Sequence, residues 1–188
     1  MNLHPAVFLD RDGVLNEEVG FLSDLAAVRL IPGSASAVAR LNAAGYMTVV
    51  VTNQSGVARG YFDEAHVLAT HELIAELLAA VDARIDRFEY CPFHPDDGVG
   101  EYRRDTPCRK PAPGMLLRAA EALQIDLSRS WIVGDRASDI HAGQAAGCRA
   151  ILVRTGYGAQ VPPTECQPEV DCAALSDAVE HILLADKR

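Results

Sequence analysis

The chain has 188 residues, of which 49% are hydrophobic, and a formal net charge of −9 at pH 7. No apolar run approaches the roughly 18 residues of a membrane span, the acidic balance argues against binding to nucleic acid, and residues 1–5 carry no secretion signal. The five cysteines are an odd number, which argues against a disulfide framework. We therefore predict one cytoplasmic, monomeric domain over residues 1–188 without nucleic-acid or membrane partners.

Strand-like and helical segments alternate along the chain. Apolar runs predict strands at residues 6–9, 46–51, 88–91, 131–133 and 150–153. Helical periodicity or capping predicts helices at residues 33–44, 63–83, 136–146 and 174–184. This alternation is typical of an α/β fold, a doubly wound, Rossmann-like parallel sheet with helices on both faces.

Two stretches have no regular pattern. Residues 92–111 hold prolines, glycines, aspartates and arginines without periodicity, so they are predicted to form one long loop. Loops of this length in compact domains are usually functional or tied down. Residues 159–188 are predicted to form a tail that ends in a helix. Cys148 is expected in a strand, and Cys166 and Cys172 in the tail.

The longest predicted helix, over residues 63–83, begins at Asp63 as a plausible N-cap. Its repeating apolar positions, expected to face the core, are Val67, Leu68, His71, Ile74, Leu78 and Val81. His66, His71 and His181 lie in helical patterns, and we interpret them as packing or surface residues and not as metal ligands.

The first strand ends in the sequence Asp10-Arg11-Asp12-Gly13. Alternate side chains of an extended backbone point the same way, so both carboxylates can reach one site. Two crowded negative charges are costly unless a cation or substrate compensates them. In open parallel sheets, ligands bind at the carboxyl ends of the strands, which makes this sequence a candidate metal and catalytic site.

Three further polar groups are predicted to meet the first at the same edge of the sheet. They are Thr52 to Ser55 after the second strand, Arg109-Lys110-Pro111 before a helix, and Gly134-Asp135 with Asp139 after the fourth strand. Taken singly, each is compatible with an ordinary turn, a helix cap or a solvated lysine. Their joint occurrence in this order favours a phosphoryl-transfer site.

Each group suits a step of phosphoryl transfer. Asp10 can attack phosphorus to form an aspartyl-phosphate, and Asp12 can act as general acid and then general base. Thr52, Asn53 and Lys110 can hold the non-bridging oxygens of the phosphoryl group. Asp10 and Asp135 can bind Mg²⁺, which prefers oxygen ligands, while Asp139 is expected to orient a metal-bound water.

The sequences Phe8 to Asn16, Val51 to Gly56, Cys108 to Pro111 and Val133 to Asp135 resemble the haloacid dehalogenase superfamily of phosphatases. Within it, residues 6–158 resemble the D-glycero-D-manno-heptose 1,7-bisphosphate 7-phosphatase family, with the histidinol-phosphate phosphatases close by. The resemblance implies a Mg²⁺-dependent phosphatase, with no large cap domain, that acts on a small phosphorylated sugar.

The resemblance also implies a set of site residues. Asp10 matches the nucleophile, Asp12 the acid/base, and Thr52 and Lys110 the groups that steady the phosphoryl group. The magnesium positions are matched by Asp10, by Asp12 through its main-chain carbonyl, and by Asp135. Arg109 matches a substrate-recognition residue. The other implied substrate-binding residues are Glu18, Val19, Gly20, Phe21, Thr52, Asn53, Gln54, Ser55 and Lys110.

One departure from the family concerns a structural zinc in the long loop, which the family usually binds through Cys-x-His and Cys-x-Cys. Phe93 and Thr106 stand where two of the four ligands would be. Cys91, His94 and Cys108 remain, although structural zinc is almost always four-coordinate. We therefore predict a zinc-free loop.

Two alternative functions remain open at this stage. A histidinol-phosphate phosphatase would use the same chemistry, but the spacing from Cys91 to Cys108 matches the heptose type in length. A phospho-acceptor signalling domain also combines a doubly wound sheet with an acidic pair and Mg²⁺. Such a domain carries its acceptor aspartate after a middle strand, whereas Thr52-Asn53 follows the second strand here.

Overall fold

A computed structural model describes residues 3–185 of the chain. Six parallel strands form one sheet in the order β3-β2-β1-β4-β5-β6. The strands are β1 Ala6–Leu9, β2 Met47–Asn53, β3 Arg87–Cys91, β4 Trp131–Gly134, β5 Arg149–Val153 and β6 Val170–Cys172. The predicted Rossmann-like sheet is confirmed, and no inserted cap domain interrupts residues 3–185.

The helices cover both faces of the sheet. They are α1 Ser34–Ala43, α2 Ser55–Ala58, α3 Glu64–Ala79, α4 Gly114–Leu123, α5 Ala137–Ala146 and α6 Leu175–Ala185. Buried residues of α1, α3 and α6 pack in one apolar cluster, and those of α4 and α5 pack in a second. None of the helices within residues 3–185 is both long and apolar enough to cross a bilayer.

Strand β1 lies in the middle of the sheet and contributes to both clusters. Val7 and Leu9 belong to the cluster with α1, α3 and α6, whereas Ala6 and Phe8 belong to the cluster with α4 and α5. All four side chains are fully buried. Alternate residues of a strand face opposite sides of a sheet, so this short apolar run anchors the loop that follows it between two cores.

Helix α3 is shorter than the sequence predicted. It ends at Ala79 because the chain turns away at Asp82, which has a positive φ of 57°, while the Ala83 N–H donates to the Leu78 carbonyl. The expectation that Leu68 and Val81 face the core is wrong, since each is 49% exposed. The other four predicted inward positions, Val67, His71, Ile74 and Leu78, are buried.

The tail contains an element that the sequence analysis missed. Val170–Cys172 forms β6, which pairs with β5 at the edge of the sheet. Cys172 therefore lies in a strand, whereas Cys148, expected in a strand, precedes β5 by one residue. A three-residue strand is too short to show a hydrophobic period. The predicted C-terminal helix is confirmed as α6, and the last three residues of the tail, 186–188, lie outside the described residues.

Candidate active site

The predicted polar groups meet at the carboxyl ends of the central strands. Asp10 follows β1, Thr52 is the penultimate residue of β2, and Asp135 follows β4. The strand prediction for β2 stopped two residues early, since Thr52 and Asn53 pair with Tyr90 and Cys91 of β3. Their polar side chains resemble a turn sequence, but their backbone groups belong to the sheet.

Lys110 reaches this edge from the long loop and forms the centre of the charged group. Its ammonium lies 3.0 Å from Oδ1 of Asp10 and 2.5 Å from Oδ1 of Asp139, and it donates to the Val51 carbonyl at 2.7 Å. The side chain is almost fully buried. Burial lowers the pKa of Lys110, but Asp10 and Asp139 outweigh burial and raise it to about 12, so the lysine is charged.

Asp135 is held from two sides by backbone. Its Oδ2 accepts the Tyr157 N–H at 2.7 Å, and a Cβ atom added at Gly13 or at Gly156 would lie 2.2 Å from that oxygen. Gly13 and Gly156 also have positive φ values of 85° and 54°. Any side chain at either position would therefore both strain the backbone and displace Asp135.

Three buried carboxylates, Asp10, Asp135 and Asp139, bring ligand oxygens within 4.8 Å of one another. Burial, opposed by Lys110 and reinforced by Asp139 and Asp135, raises the pKa of Asp10 to about 8. Burial, reinforced by Asp139, raises the pKa of Asp135 to about 7. These carboxylates are therefore costly to ionise without further positive charge.

The group fits a divalent cation. Three carboxylates face one ammonium, which leaves an excess of two negative charges when all are ionised. Oδ1 of Asp135 is buried and has no hydrogen-bond partner among residues 3–185. A buried oxygen without a donor is costly, and a hard cation that prefers oxygen ligands satisfies it.

The Asp12 carboxylate lies outside this group and has its own partners. It accepts hydrogen bonds from Arg11 Nη2 at 2.9 Å, Asn16 Nδ2 at 2.8 Å and Gln54 Nε2 at 2.9 Å. Burial raises the pKa of Asp12, but the charge of Arg11 and these hydrogen bonds outweigh burial and hold the pKa below its usual range. The surroundings of Asp10 therefore raise its pKa, whereas those of Asp12, two residues further on, lower its pKa.

Two residues predicted to bind substrate have side chains engaged within the protein. Asn53 pairs with the backbone of Lys110, accepting its N–H and donating to its carbonyl, each at 3.1 Å. Gln54 donates from Nε2 to Thr52 Oγ1 as well as to Asp12. In this structure Asn53 and Gln54 position the catalytic candidates, and the Thr52 hydroxyl keeps its own proton for another acceptor.

A cavity of about 360 Å³ opens above Asp10, Asp12 and Lys110, whereas Asp135 does not line it. The predicted site residues that line it are Asp10, Asp12, Glu18, Gly20, Phe21, Thr52, Asn53, Gln54, Ser55, Arg109, Lys110 and Asp139. Val19, predicted with its neighbours, is not among the lining residues and is 49% exposed. Gly20, with a positive φ of 82°, turns the chain after Val19, so this segment does not present every residue to the cavity.

Sequence reasoning missed several lining residues, namely Leu22, Gly56, Arg59, Phe62, Arg136, Ser138 and Tyr157. Arg136 directly follows the Gly134-Asp135 sequence, and its guanidinium carbon lies 3.8 Å from the centre of the Tyr157 ring. Proximity to a predicted site residue could have identified Arg136 and Ser138. Arg59 and Phe62 lie beyond the predicted polar segment and give no comparable signal.

Of the three zinc remnants, the Cys91 and Cys108 thiols lie together, whereas His94 has other partners. The Thr106 hydroxyl lies between the thiols, 3.6 Å from Cys91 Sγ and 2.9 Å from Cys108 Sγ. Nδ1 of His94 instead accepts the N–H groups of Asp96 and Asp97, and His94 lines the cavity. The polar groups of Cys91, Cys108 and His94 therefore find hydrogen-bond partners within the protein.

We expect the purified protein to contain far less than one zinc ion per chain. A strong zinc chelator should leave its melting temperature unchanged, since Phe93 and Thr106 replace two of the four ligands that a structural zinc needs. Metal analysis and thermal unfolding with and without chelator check this expectation. About one zinc per chain, lost together with stability on chelation, would contradict it.

The fold and the site together define a class of protein. A doubly wound sheet with an Asp-x-Asp sequence after β1, a lysine from the loop and acidic residues after β4 is the arrangement of the haloacid dehalogenase superfamily. A family model described as "HAD-hyrolase-like" matches residues 107–178.

Comparison with known proteins narrows the class. The chain is 48% identical to a D-glycero-D-manno-heptose-1,7-bisphosphate 7-phosphatase from Thermosynechococcus vestitus, over 95% of each chain. It is 44% identical to the D-glycero-beta-D-manno-heptose-1,7-bisphosphate 7-phosphatase of Escherichia coli K12, over 81% of this chain and 80% of the other. The chain belongs to this family of phosphoric monoester hydrolases, as its motifs implied.

A solved structure agrees. The chain is similar to the D,D-heptose 1,7-bisphosphate phosphatase of B. bronchiseptica, crystallised with magnesium and phosphate. The TM-score is 0.86 at 37% identity, and the match covers 96% of this chain and 99% of the other.

Proposed function

We propose that this protein is a Mg²⁺-dependent phosphatase that removes the 7-phosphate of D-glycero-D-manno-heptose 1,7-bisphosphate in the cytoplasm through an aspartyl-phosphate intermediate. The observation that carries the proposal is the juxtaposition of Asp10, Lys110 and the Asp12 carboxylate beneath one cavity. The relatives that are 42–48% identical over most of the chain support the choice of substrate.

Asp10 is the nucleophile of the first step. Its Oδ1 is held by the Arg11 N–H at 2.7 Å and by Lys110, which leaves Oδ2 as the oxygen not engaged by these donors. A carboxylate oxygen attacks phosphorus, and the bond between phosphorus and the sugar oxygen breaks. Asp12 gives its proton to the departing sugar oxygen.

The same two residues complete the cycle. Asp12, now ionised, takes a proton from water as the water oxygen attacks phosphorus, and the bond between phosphorus and Asp10 breaks to release inorganic phosphate. Arg11 and Gln54 favour the ionised state of Asp12 that this step needs. A bound phosphate dianion favours the protonated state that the first step needs, because like charges repel.

Lys110 and Thr52 hold the transferring phosphoryl group. The lysine ammonium and the threonine hydroxyl supply donors at the cavity floor, where negative charge spreads over the equatorial oxygens. Asp10, Asp135 and the Asp12 carbonyl would hold Mg²⁺, with Asp139 orienting a water ligand. Bound Mg²⁺ would neutralise the buried carboxylates and polarise a phosphoryl oxygen.

A steady-state screen tests the substrate. We expect the highest kcat/KM on D-glycero-D-manno-heptose 1,7-bisphosphate, a lower value on an aryl phosphate, and no turnover with excess chelator. Histidinol phosphate is the decisive comparison, since it reacts by the same chemistry. Faster release of phosphate from histidinol phosphate would overturn the heptose assignment while leaving the phosphatase mechanism in place.

Mg²⁺ should stabilise the protein more at about pH 8 than at about pH 6. With pKa values of about 8 and about 7, Asp10 and Asp135 bind protons in the cation-free native state that they release when unfolded. The free energy of unfolding of the cation-free protein therefore falls as pH rises towards 8. At lower pH, Mg²⁺ has to displace these protons before it binds, so it stabilises the protein less.

Thermal unfolding with saturating Mg²⁺ or with chelator, at both pH values, measures this difference. Asp135→Asn removes a proposed ligand and should abolish most of the Mg²⁺ shift, whereas Asp105→Asn, at an exposed loop position, should retain it. An equal Mg²⁺ shift at both pH values would contradict the proposed coupling.

A further inference from the structure

The outer wall of the cavity carries positive charge that the chemistry at the floor does not use. Arg59, at the end of α2, and Arg109 both line the cavity, as does His94. Lys110 lies at the cavity floor with its own carboxylate partners. The arginines therefore form a second, separate group of donors.

The charges of this outer group are crowded. Burial lowers the pKa of Arg109, and the charge of Arg59 lowers it further. The pKa of His94 is likewise lowered, first by burial and then by the charges of Arg109 and Arg59. Neighbouring guanidinium groups repel each other unless an anion lies between them. Asp97 pairs with Arg59 Nη2 at 2.5 Å but is itself 45% exposed at the rim.

His94 adds a donor whose tautomer is fixed by the backbone. Its Nδ1 accepts N–H groups from Asp96 at 3.3 Å and Asp97 at 3.0 Å, so Nδ1 carries no proton. The proton of the neutral ring therefore lies on Nε2. His94 thus offers the cavity one N–H donor beside the two guanidinium groups.

Arg59 is held in place while retaining capacity for a ligand. Its guanidinium carbon lies 5.5 Å from the centre of the Phe21 ring, which packs edge-on against Tyr61 at 4.7 Å between ring centres. The salt bridge with Asp97 uses Nη2, and Nε has no hydrogen-bond partner among residues 3–185. Phe21 and Tyr61 are 43% and 56% exposed, so they present an aromatic surface beside the arginine.

We propose that Arg59, with His94, binds the second phosphate of a bisphosphorylated sugar whose first phosphate lies against Asp10 and Lys110. Arginine forms paired, charge-assisted hydrogen bonds to phosphate oxygens, and a cavity with cations at both its floor and its outer wall fits a ligand with an anion at each end. Phe21, which lines the cavity beside Arg59, lies where the sugar between the two phosphates would pass.

This assignment of Arg59 rests on the proposed function. A comparison of three substrates tests the role of Arg59 separately from the phosphatase function. The substrates are the heptose 1,7-bisphosphate, the heptose 7-phosphate that lacks the second phosphate, and an aryl phosphate. For Arg59→Ala, kcat/KM on the bisphosphate should fall about 30-fold, mainly through KM. On the other two substrates it should change by less than about threefold, because neither reaches Arg59.

Three further variants complete the experiment. Arg59→Lys keeps the charge without the paired donors, so its kcat/KM should fall about fivefold on the bisphosphate and on no other substrate. This variant also tests the proposal if Arg59→Ala does not fold. His94→Ala should lose about fivefold on the same substrate. Arg103→Ala removes an exposed arginine that does not line the cavity and should match the wild-type enzyme on all three substrates.

Equal losses on all three substrates would overturn the assignment, as would an unchanged KM for the bisphosphate in both Arg59 variants. A wild-type enzyme that hydrolyses both heptose phosphates equally well would also overturn it, while leaving the heptose assignment intact. A wild-type enzyme that hydrolyses only the aryl phosphate and histidinol phosphate would instead refute the proposed function.

Discussion

Replacement of Asp10 by asparagine should lower kcat by a factor on the order of 10⁴ or more, because the amide cannot form the phospho-enzyme bond. Asparagine is nearly isosteric and can still accept the Arg11 N–H, and Lys110 keeps its contact with Asp139. The variant removes a buried carboxylate whose pKa is raised, so the cation-free protein should unfold at no lower temperature than the wild type.

Two measurements make this expectation specific. Borohydride reduction of the wild-type enzyme quenched during turnover should convert Asp10 to homoserine, as expected of an aspartyl-phosphate. Asp105→Asn, which removes an exposed carboxylate of the long loop, should leave kcat unchanged. Retention of more than about a tenth of the wild-type kcat by Asp10→Asn would rule out Asp10 as the nucleophile.

Asp12→Asn should lower kcat by about 10²- to 10⁴-fold, which is the usual range for loss of a general acid and base. The loss should be largest for sugar phosphates, whose alkoxide leaving group needs a proton. On an aryl phosphate the first step needs less help, so phosphorylated Asp10 should accumulate while its hydrolysis becomes slow.

The same variant should cost about 2 kcal/mol of stability, because the almost fully buried Arg11 loses its charged partner. Kinetics are therefore best measured well below the melting temperature of the variant. A burst of one aryl product per chain followed by slow turnover is the expected trace. Unchanged turnover of the aryl phosphate would refute the role of Asp12 in both steps.

The central part of the fold followed from hydrophobic pattern alone. β1, β4 and α5 lie within one residue of their predicted bounds, because fully buried strands and capped helices leave clear local signals. The edge strand β6 left no such signal, since three residues are too few to show a hydrophobic period. The end of α3 was placed too late because the left-handed turn lies at Asp82, whereas the prediction followed the apolar positions on to Val81 and Ala83 and had no glycine to mark the end.

The inner site was also accessible from sequence, because its residues lie at strand ends and parallel strands end at one edge of the sheet. The positioning roles of Asn53 and Gln54 could not be predicted from the sequence. Their pairing with Lys110 and Asp12 joins segments 57 and 42 residues apart, and no local pattern encodes such a contact. Arg59 was missed for the same reason, since its neighbours in the cavity come from distant loops.

The pairing of Asn53 with the backbone of Lys110 has a consequence for how much variation the long loop tolerates. This double hydrogen bond, with the contact from Lys110 to the Val51 carbonyl, fixes the reactive end of the loop directly to β2. The middle of the loop therefore does not determine where the lysine lies. Divergence, insertion or deletion over residues 95–105 can therefore accumulate without moving the ammonium group.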